Sequence, residues 1–206
     1  ACPLIGGDTT AGPLNICITA FGSIPKDQAI RRSGALVGDD IWVSGTVGDA
    51  RLTLAALRHE IELSQSDLEM IQARMHQPNP RVELGIALRK VANSALDISD
   101  GLLGDLKHIL EQSKKDAEVW LDTIPKSTTL RKQAEDLQNQ FAAAGGDDYE
   151  LCFTASMSNR EVIEQISQDL KLSLTRIGTI TPMQSSSPNI TLRNKGELLS
   201  QEQVDA

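Results

Sequence analysis

The sequence has few cysteines and no long apolar run. Its three cysteines, Cys2, Cys17 and Cys152, show no CxxC spacing, so neither a disulfide framework nor a zinc site is indicated. Cys17 and Cys152 lie in apolar runs, and we expect them to be inert core thiols. No segment approaches the ~20 apolar residues that span a bilayer, and the chain does not start with a secretory signal. We therefore expect a soluble, cytoplasmic chain with no membrane partner.

Basic residues are in the minority. The 206 residues include 20 Lys and Arg against 28 Asp and Glu, which gives a net charge of −8. Because nonspecific nucleic-acid binding depends on clustered Lys and Arg, we expect no nucleic-acid partner. A nucleotide bound together with a divalent cation is compatible with an acidic chain, since the cation supplies the positive charge locally.

Two familiar ligand-binding loops are missing. No GxxxxGK string followed by Ser or Thr occurs, which excludes a Walker A loop. An EF-hand loop starting at Asp97 would need glycine at its sixth position, where the sequence has Leu102. The three histidines lie among polar neighbours, so we expect structural or solvated roles for them. Any nucleotide must be held by another device.

The spacing of apolar residues predicts an α+β fold with one mixed β-sheet flanked by helices. Pro25 ends a first predicted strand at Leu14–Ile24, and a polar tail begins after Lys195. We therefore expect three units, at residues 1–30, 31–195 and 196–206. Later strands are expected at Ile41–Ser44, Ser94–Ile98, Glu118–Leu121, Leu151–Thr154, Leu172–Ile177 and Ile190–Leu192. Helices are expected from Asp49, Gly101 and Leu130, behind capping boxes at Ser66/Glu69 and Ser158/Glu161, and behind an N-cap at Asn79.

Four acidic or glycine-rich segments stand out: GGDTT at 6–10, GTVGDA at 45–50, DISDG at 97–101 and GGDDYE at 145–150. Some of their residues have simpler explanations. Gly45 and Gly48 are expected to form a tight turn. Tyr149, like the nearby Phe153, is expected to pack in the core rather than to stack on a substrate ring.

DISDG is expected at a strand-to-helix turn, where Asp97, Ser99 and Asp100 can converge near free N–H groups. Two carboxylates ~4 Å apart repel by about 4 kcal/mol at an effective dielectric near 20, and a divalent cation removes that repulsion. Together with Asp8 they would suit Mg²⁺, which prefers hard oxygen ligands. The alternative is that Ser99 or Asp100 only caps the helix.

Six segments resemble, in their order, the thiamine-monophosphate kinase family: LIGGDTT, RSGA, VSGTVGDA, PNPR, LDISDGLLGDL and GGDDYELCF. This family belongs to a superfamily that includes aminoimidazole ribonucleotide synthetase, selenophosphate synthetase and a hydrogenase maturation protein. DYEL after a Gly-Gly pair favours the kinase among them. The resemblance implies that residues 31–195 form a C-terminal domain of the aminoimidazole ribonucleotide synthetase type, and that residues 1–30 supply terminal strands of an N-terminal ATP-binding domain.

The resemblance also implies an activity, the ATP-dependent phosphorylation of thiamine monophosphate to thiamine diphosphate by a homodimer. The family's functional positions fall on seven residues: the Mg²⁺ ligands Asp8, Asp97 and Asp100, the ATP contacts Gly7, Asp8, Arg32 and Ser99, and the thiamine contact Glu150. Because the acceptor is already an anionic phosphate oxygen, no general base is required.

The chain departs from the family pattern in three ways. The family's N-terminal domain is expected to be largely missing, Asp147 stands where the family usually has Glu, and no aromatic C-terminal segment is found to close the thiamine pocket. We therefore expect this chain to be a fragment that is inactive alone. Two alternatives stay open: another ATP-dependent synthetase of the purine or selenophosphate type, and a noncatalytic module.

Overall fold

The computed structural model describes residues 2–199, and its central element is a seven-stranded β-sheet. The strands are β1 (Asp40–Ser44), β2 (Ser94–Ile98), β3 (Lys115–Trp120), β4 (Glu150–Ala155), β5 (Leu174–Pro182), β6 (Ile190–Asn194) and β7 (Glu197–Leu198). Their order across the sheet is β2-β4-β1-β5-β3-β6-β7. All neighbouring strands are antiparallel except β3 and β6, which are parallel. The predicted α+β fold with one mixed sheet is confirmed.

Six α-helices accompany the sheet within the described residues: α1 (Asp49–Leu57), α2 (Gln65–His76), α3 (Val82–Ala87), α4 (Leu102–Ser113), α5 (Glu135–Ala144) and α6 (Arg160–Leu170). Short 3-10 turns lie at Leu121–Thr123, Leu130–Lys132 and Met157–Asn159. Between residues 2 and 199 there is no helix with the length and apolar character needed to cross a membrane.

Two apolar clusters lie on opposite faces of the sheet. Side chains alternate between the two faces along β1. Ile41 and Val43 lie in the larger cluster, with residues of α1, α4 and α5. Trp42 lies in the smaller cluster, with residues of α3 and α6. Trp42 stacks on its cross-strand partner Phe153 with ring centroids 6.3 Å apart. Phe153 is fully buried, so its predicted packing role is confirmed.

The first predicted strand, Leu14–Ile24, is wrong for this structure. Residues 2–24 contain no helix or strand, and Leu14 and Ile18 are 93% and 86% exposed. An extended segment becomes a strand only when a neighbour takes up its backbone hydrogen bonds, and no strand of residues 2–199 pairs with this one. The expected core position of Cys17 is also wrong, because Cys17 is exposed. Cys152 is buried as predicted, and burial raises the pKa of its thiol to about 12.

Helix starts were predicted less well than helix positions. Helix α2 is capped by Ser64, whose Oγ accepts the Asp67 N–H at 3.1 Å, rather than by Ser66. Serine is a favoured N-cap residue at either position, so the local sequence does not separate Ser64 from Ser66. Asn79 does not cap α3, which begins three residues later at Val82.

Two further helix predictions also shift. Helix α6 begins at Arg160 with no side-chain cap, and the helix expected from Leu130 is divided into a 3-10 turn and α5. The expected polar tail is ordered at its start, where Glu197–Leu198 pairs with β6. Residues 200–206 of that tail lie outside the described residues. The domain boundary near residue 30 stays a prediction.

Candidate functional site

Three of the four chemistry-bearing segments meet at one edge of the sheet. Strands β1 and β2 both run antiparallel to β4, so their C-terminal ends lie beside the start of β4 at Glu150. GTVGDA follows β1, DISDG spans the end of β2, and GGDDYE leads into β4. The N–H groups of Asp147 and Tyr149 donate to the carbonyls of Ser99 and Ile98, both at 2.8 Å. The strand order therefore joins segments that are far apart in the sequence.

The DISDG turn is held by Asp105, a residue of α4 that the sequence analysis did not single out. The Oδ2 atom of Asp105 accepts the N–H groups of Ser99 and Asp100 at 2.9 Å each and that of Gly101 at 3.1 Å. Gly101 occupies the N-cap position of α4 without any side-chain cap. The alternative in which Ser99 or Asp100 merely caps this helix is therefore wrong.

Asp97 and Asp100 keep their carboxylates free. Both residues are exposed, and within residues 2–199 neither side chain forms an ion pair or a hydrogen bond. Asp97 shares a sheet face with its cross-strand partner Leu151, opposite to the face of Ile98 and Glu150. Unpartnered, exposed carboxylates are the donor type that a hard divalent cation prefers, so this pair fits Mg²⁺ chemically.

The remaining expected nucleotide residues lie elsewhere. Gly7 and Asp8 belong to the exposed segment at residues 2–24, where Asp8 accepts the Thr9 N–H at 2.8 Å. Arg32 is exposed, and its carbonyl accepts the Ser113 hydroxyl at 3.2 Å. In the part of the chain that the structure describes, no three His, Cys, Asp or Glu side chains are close enough to share a metal ion. Asp8 is therefore not brought together with Asp97 and Asp100.

Glu150 is fully buried at the start of β4, and both of its carboxylate oxygens are occupied. Arg81 donates from Nε to Oε2 at 2.7 Å and from Nη2 to Oε1 at 2.5 Å, and Arg74 donates from Nη2 to Oε1 at 2.6 Å. Ser44 Oγ donates to Oε2 at 2.5 Å. A carboxylate offers roughly four acceptor positions, so these four bonds saturate it. Hydrogen bonding to Glu150 also raises the pKa of Arg81.

The turn after β1 approaches Glu150 closely at Gly45. This residue has φ +61°, and a Cβ there would overlap the Glu150 carboxylate. The expected turn role of Gly45 is confirmed, and the residue also leaves room for the arginine–glutamate cluster. Arg74 reaches the same turn, because its Nη2 also donates to the carbonyl of Thr46 at 3.1 Å.

Asp148 fastens the GGDDYE segment to the start of α1. Its Oδ2 accepts the Gly48 N–H at 2.7 Å, its Oδ1 accepts the Ala50 N–H at 3.4 Å, and it is 1% exposed. Burial raises the pKa of Asp148 to about 7. Its neighbours Asp147 and Tyr149 have φ values of +67° and +52°, conformations that cost an L-residue roughly 1–2 kcal/mol each. The segment is therefore a strained loop that buried contacts hold in place.

Sequence reasoning missed four residues that organise this edge: Arg74, Arg81, Asp105 and Asp148. Three of them lie within the motif segments PNPR, LDISDGLLGDL and GGDDYE, so membership in a motif is the signal that the sequence offers for them. Arg74 carried no such signal, because it lies on α2, 76 positions before its partner Glu150. Tyr149, expected to pack in the core, is 40% exposed.

Comparisons with known proteins agree with this architecture. Residues 37–189 match the family described as AIR synthase related protein, C-terminal domain. A thiamine-monophosphate kinase of Salmonella typhimurium is 42% identical over 180 residues, which cover 86% of this chain and 55% of that protein. The chain thus spans about half the length of the curated relatives it matches.

Solved structures give the same result. The thiamine-monophosphate kinase from Stenotrophomonas maltophilia K279a aligns with a TM-score of 0.76 at 40% identity, covering 85% of this chain and 56% of that one. A structure described as AaThiL complexed with AMPPCP and TMP aligns with a TM-score of 0.66 at 28% identity, covering 83% and 52%.

Proposed function

We propose that this chain, which belongs to the family described as AIR synthase related protein, C-terminal domain, is part of an enzyme that phosphorylates thiamine monophosphate with ATP to give thiamine diphosphate. The names of the relatives support this activity, as does the relative that binds AMPPCP, an ATP analogue, together with TMP. The observation that carries the proposal is the convergence of three motif segments at one sheet edge, with free carboxylates on DISDG.

In this proposal Asp97 and Asp100 bind Mg²⁺, and Asp8 joins them from the segment at residues 2–24. Bound Mg²⁺ would neutralise the charge on the nucleotide phosphates. Ser99, Gly7 and Arg32 are proposed to contact ATP. For Ser99 the support is local: Ser99 is half-buried and directly follows Ile98, the last residue of β2, and its N–H donates to Asp105.

Glu150 is proposed to act at the thiamine end of the site. Its carboxylate has four protein donors, so contact with a ligand requires the exchange of at least one of them. Arg74 and Arg81 supply positive charge at this end, which favours an anionic substrate nearby, and the carboxylates of Glu150, Asp49 and Asp148 offset part of that charge. No general base is needed, because a phosphate oxygen of the acceptor is already anionic, and positioning with charge neutralisation carries the reaction.

The proposal keeps the expected homodimer and the cytoplasmic location. Analytical ultracentrifugation of the full-length protein tests the oligomeric state, and a dimer is expected.

The deciding experiment assays the full-length protein with ATP, Mg²⁺ and thiamine monophosphate, and measures thiamine diphosphate by chromatography. We expect Mg²⁺-dependent product, and an Asp97→Asn variant should lose at least about tenfold of the activity, as metal-site changes generally do. Asp169→Asn is the matched control, because Asp169 is an exposed aspartate on α6. Absence of thiamine diphosphate, with ATP-dependent turnover of another acceptor, would favour the synthetase alternative.

A further inference from the structure

We propose that Asp105 is a positioning residue for the Asp97–Asp100 pair: it fixes the turn that carries Asp100, and so holds Asp100 in place relative to Asp97 on β2. This proposal rests on the proposed function only in assigning the Mg²⁺ site to that pair. The argument for the positioning itself comes from the contacts of Asp105.

A single oxygen atom of Asp105 gathers three consecutive backbone N–H groups. Oδ2 accepts those of Ser99, Asp100 and Gly101 at 2.9, 2.9 and 3.1 Å. Successive N–H groups converge on one point only when the backbone curls around an anion, and the curl then fixes the dihedral angles of the turn. The main chain of Asp105 adds a further restraint, because its N–H donates to the Gly101 carbonyl at 2.9 Å.

The position of Asp105 on α4 makes this carboxylate unusual. Leu102, Leu106 and Ile109 are fully buried on the same helix, and Asp105 lies among them at 4% exposure. An apolar residue would extend that stripe without desolvating a charge. Within residues 2–199 no basic side chain pairs with Asp105, so its compensation comes from the three N–H groups and the N-terminal end of α4.

The carbonyl side of the same turn is held separately. Ser99 O accepts the Asp147 N–H at 2.8 Å, and Gly101, with φ +124°, lies so close to Ala144 that a Cβ would sit 2.7 Å from the Ala144 carbonyl oxygen. The backbone between Asp97 and Asp100 is therefore fixed on both sides, whereas their side chains stay free. Removing the Asp105 carboxylate should free the N–H groups of residues 99–101 and leave the hydrogen bond between the Ser99 carbonyl and the Asp147 N–H in place.

The test compares Asp105→Ala and Asp105→Asn with the wild type in the full-length protein. The Asn side chain keeps one oxygen that can accept the three hydrogen bonds, but it carries no charge. Asp105→Asn should therefore lie between the wild type and Asp105→Ala in hydrogen exchange and in metal affinity. It also provides a test if Asp105→Ala does not fold. The matched control is Asp116→Ala. Asp116 is another buried aspartate, and it accepts the N–H groups of Gln184 and Asn189 at 2.9 Å each, in a different loop.

Two measurements need no catalysis. Hydrogen exchange followed by mass spectrometry should show faster exchange in peptides that contain residues 99–101 of the Asp105 variants. Mn²⁺ binding followed by electron paramagnetic resonance should weaken by at least about tenfold in Asp105→Ala, and less in Asp105→Asn, as expected for a residue that orients metal ligands. Asp116→Ala should change neither.

Kinetics then separate positioning from a general loss of structure. The Mg²⁺ concentration for half-maximal activity should rise in parallel with the loss of Mn²⁺ affinity, and the KM for thiamine monophosphate should stay within about twofold of the wild type. Unchanged exchange at residues 99–101, or unchanged Mn²⁺ affinity despite faster exchange, would overturn the proposal. A wild-type protein that binds Mn²⁺ but does not phosphorylate thiamine monophosphate would instead refute the proposed function and leave the positioning of the turn supported.

Discussion

The two acidic ends of the site are built in opposite ways. Asp97 and Asp100 are exposed and unpartnered within residues 2–199, whereas Glu150 is fully buried under two arginines and a serine. An exposed carboxylate without an ionic partner costs the folded state little free energy, so it can stay charged and unpaired until a cation binds. A buried carboxylate must be compensated at all times. The comparison shows that the carboxylates of DISDG can bind a cation without losing a protein partner, whereas the carboxylate of Glu150 is already neutralised by the protein.

Removal of the Glu150 carboxylate should have the largest effect on folding. Glu150→Ala leaves Arg74 and Arg81 facing each other without their shared anion, and breaking a buried ion pair in this way costs about 3–5 kcal/mol. Urea unfolding of the wild type and the variant measures the difference. Glu118→Ala, which removes the partner of the half-exposed Arg193, is the control and should cost under about 1 kcal/mol. Equal losses in the two variants would remove the contrast between buried and exposed carboxylates.

A side chain that crowds the cluster of Glu150, Arg74 and Arg81 should have the next largest effect on the free energy of unfolding. Gly45→Ala combines a positive φ with a methyl group that overlaps the Glu150 carboxylate, so the free energy of unfolding should fall by about 2–4 kcal/mol. Gly38→Ala is the matched control, because Gly38 has φ +89° but no atom within 4 Å of its would-be Cβ. That variant should show the backbone strain alone, about 1–2 kcal/mol. A Gly45 variant no less stable than the Gly38 variant would mean that the cluster moves aside freely.

The pH dependence of stability tests a second buried carboxylate of the GGDDYE segment. Burial raises the pKa of Asp148 to about 7, above the value of about 3.9 for an unfolded aspartate. The folded state therefore holds more protons between these values, and stability falls as the pH rises through that window. From pH 5 to 8 the wild type should lose about 2–3 kcal/mol relative to Asp148→Asn, whose uncharged side chain cannot titrate. Urea titrations at each pH measure this, and a constant difference between the two proteins would contradict it.

The sequence predicted the local part of this arrangement. Alternation and helical spacing around residue 100 predicted that Asp97 ends a strand and Asp100 begins a helix, and the structure shifts these positions slightly: β2 ends at Ile98 and α4 begins at Leu102. The pairing of Glu150 with Arg74 could not be predicted in that way, because it depends on how α2 packs on α1, which brings the Arg74 side chain to the start of β4. Leu14–Ile24 has the composition of a strand, but a strand also needs a partner, which local sequence does not specify.

The exposed pair should show the smallest effect on folding and the clearest response to a cation. The double variant Asp97→Asn and Asp100→Asn should change the free energy of unfolding by no more than about 0.5 kcal/mol, because within residues 2–199 neither carboxylate has a protein partner to lose. A ligand that binds only the folded state stabilises it, so added MgCl₂ should raise the stability of the wild-type full-length protein more than that of the double variant. Thermal unfolding with and without MgCl₂ measures both quantities, with Asp169→Asn as the exposed control. A large loss of stability without the cation would mean that the DISDG carboxylates support the fold in the same way as Glu150, and an equal response to MgCl₂ would place the cation elsewhere.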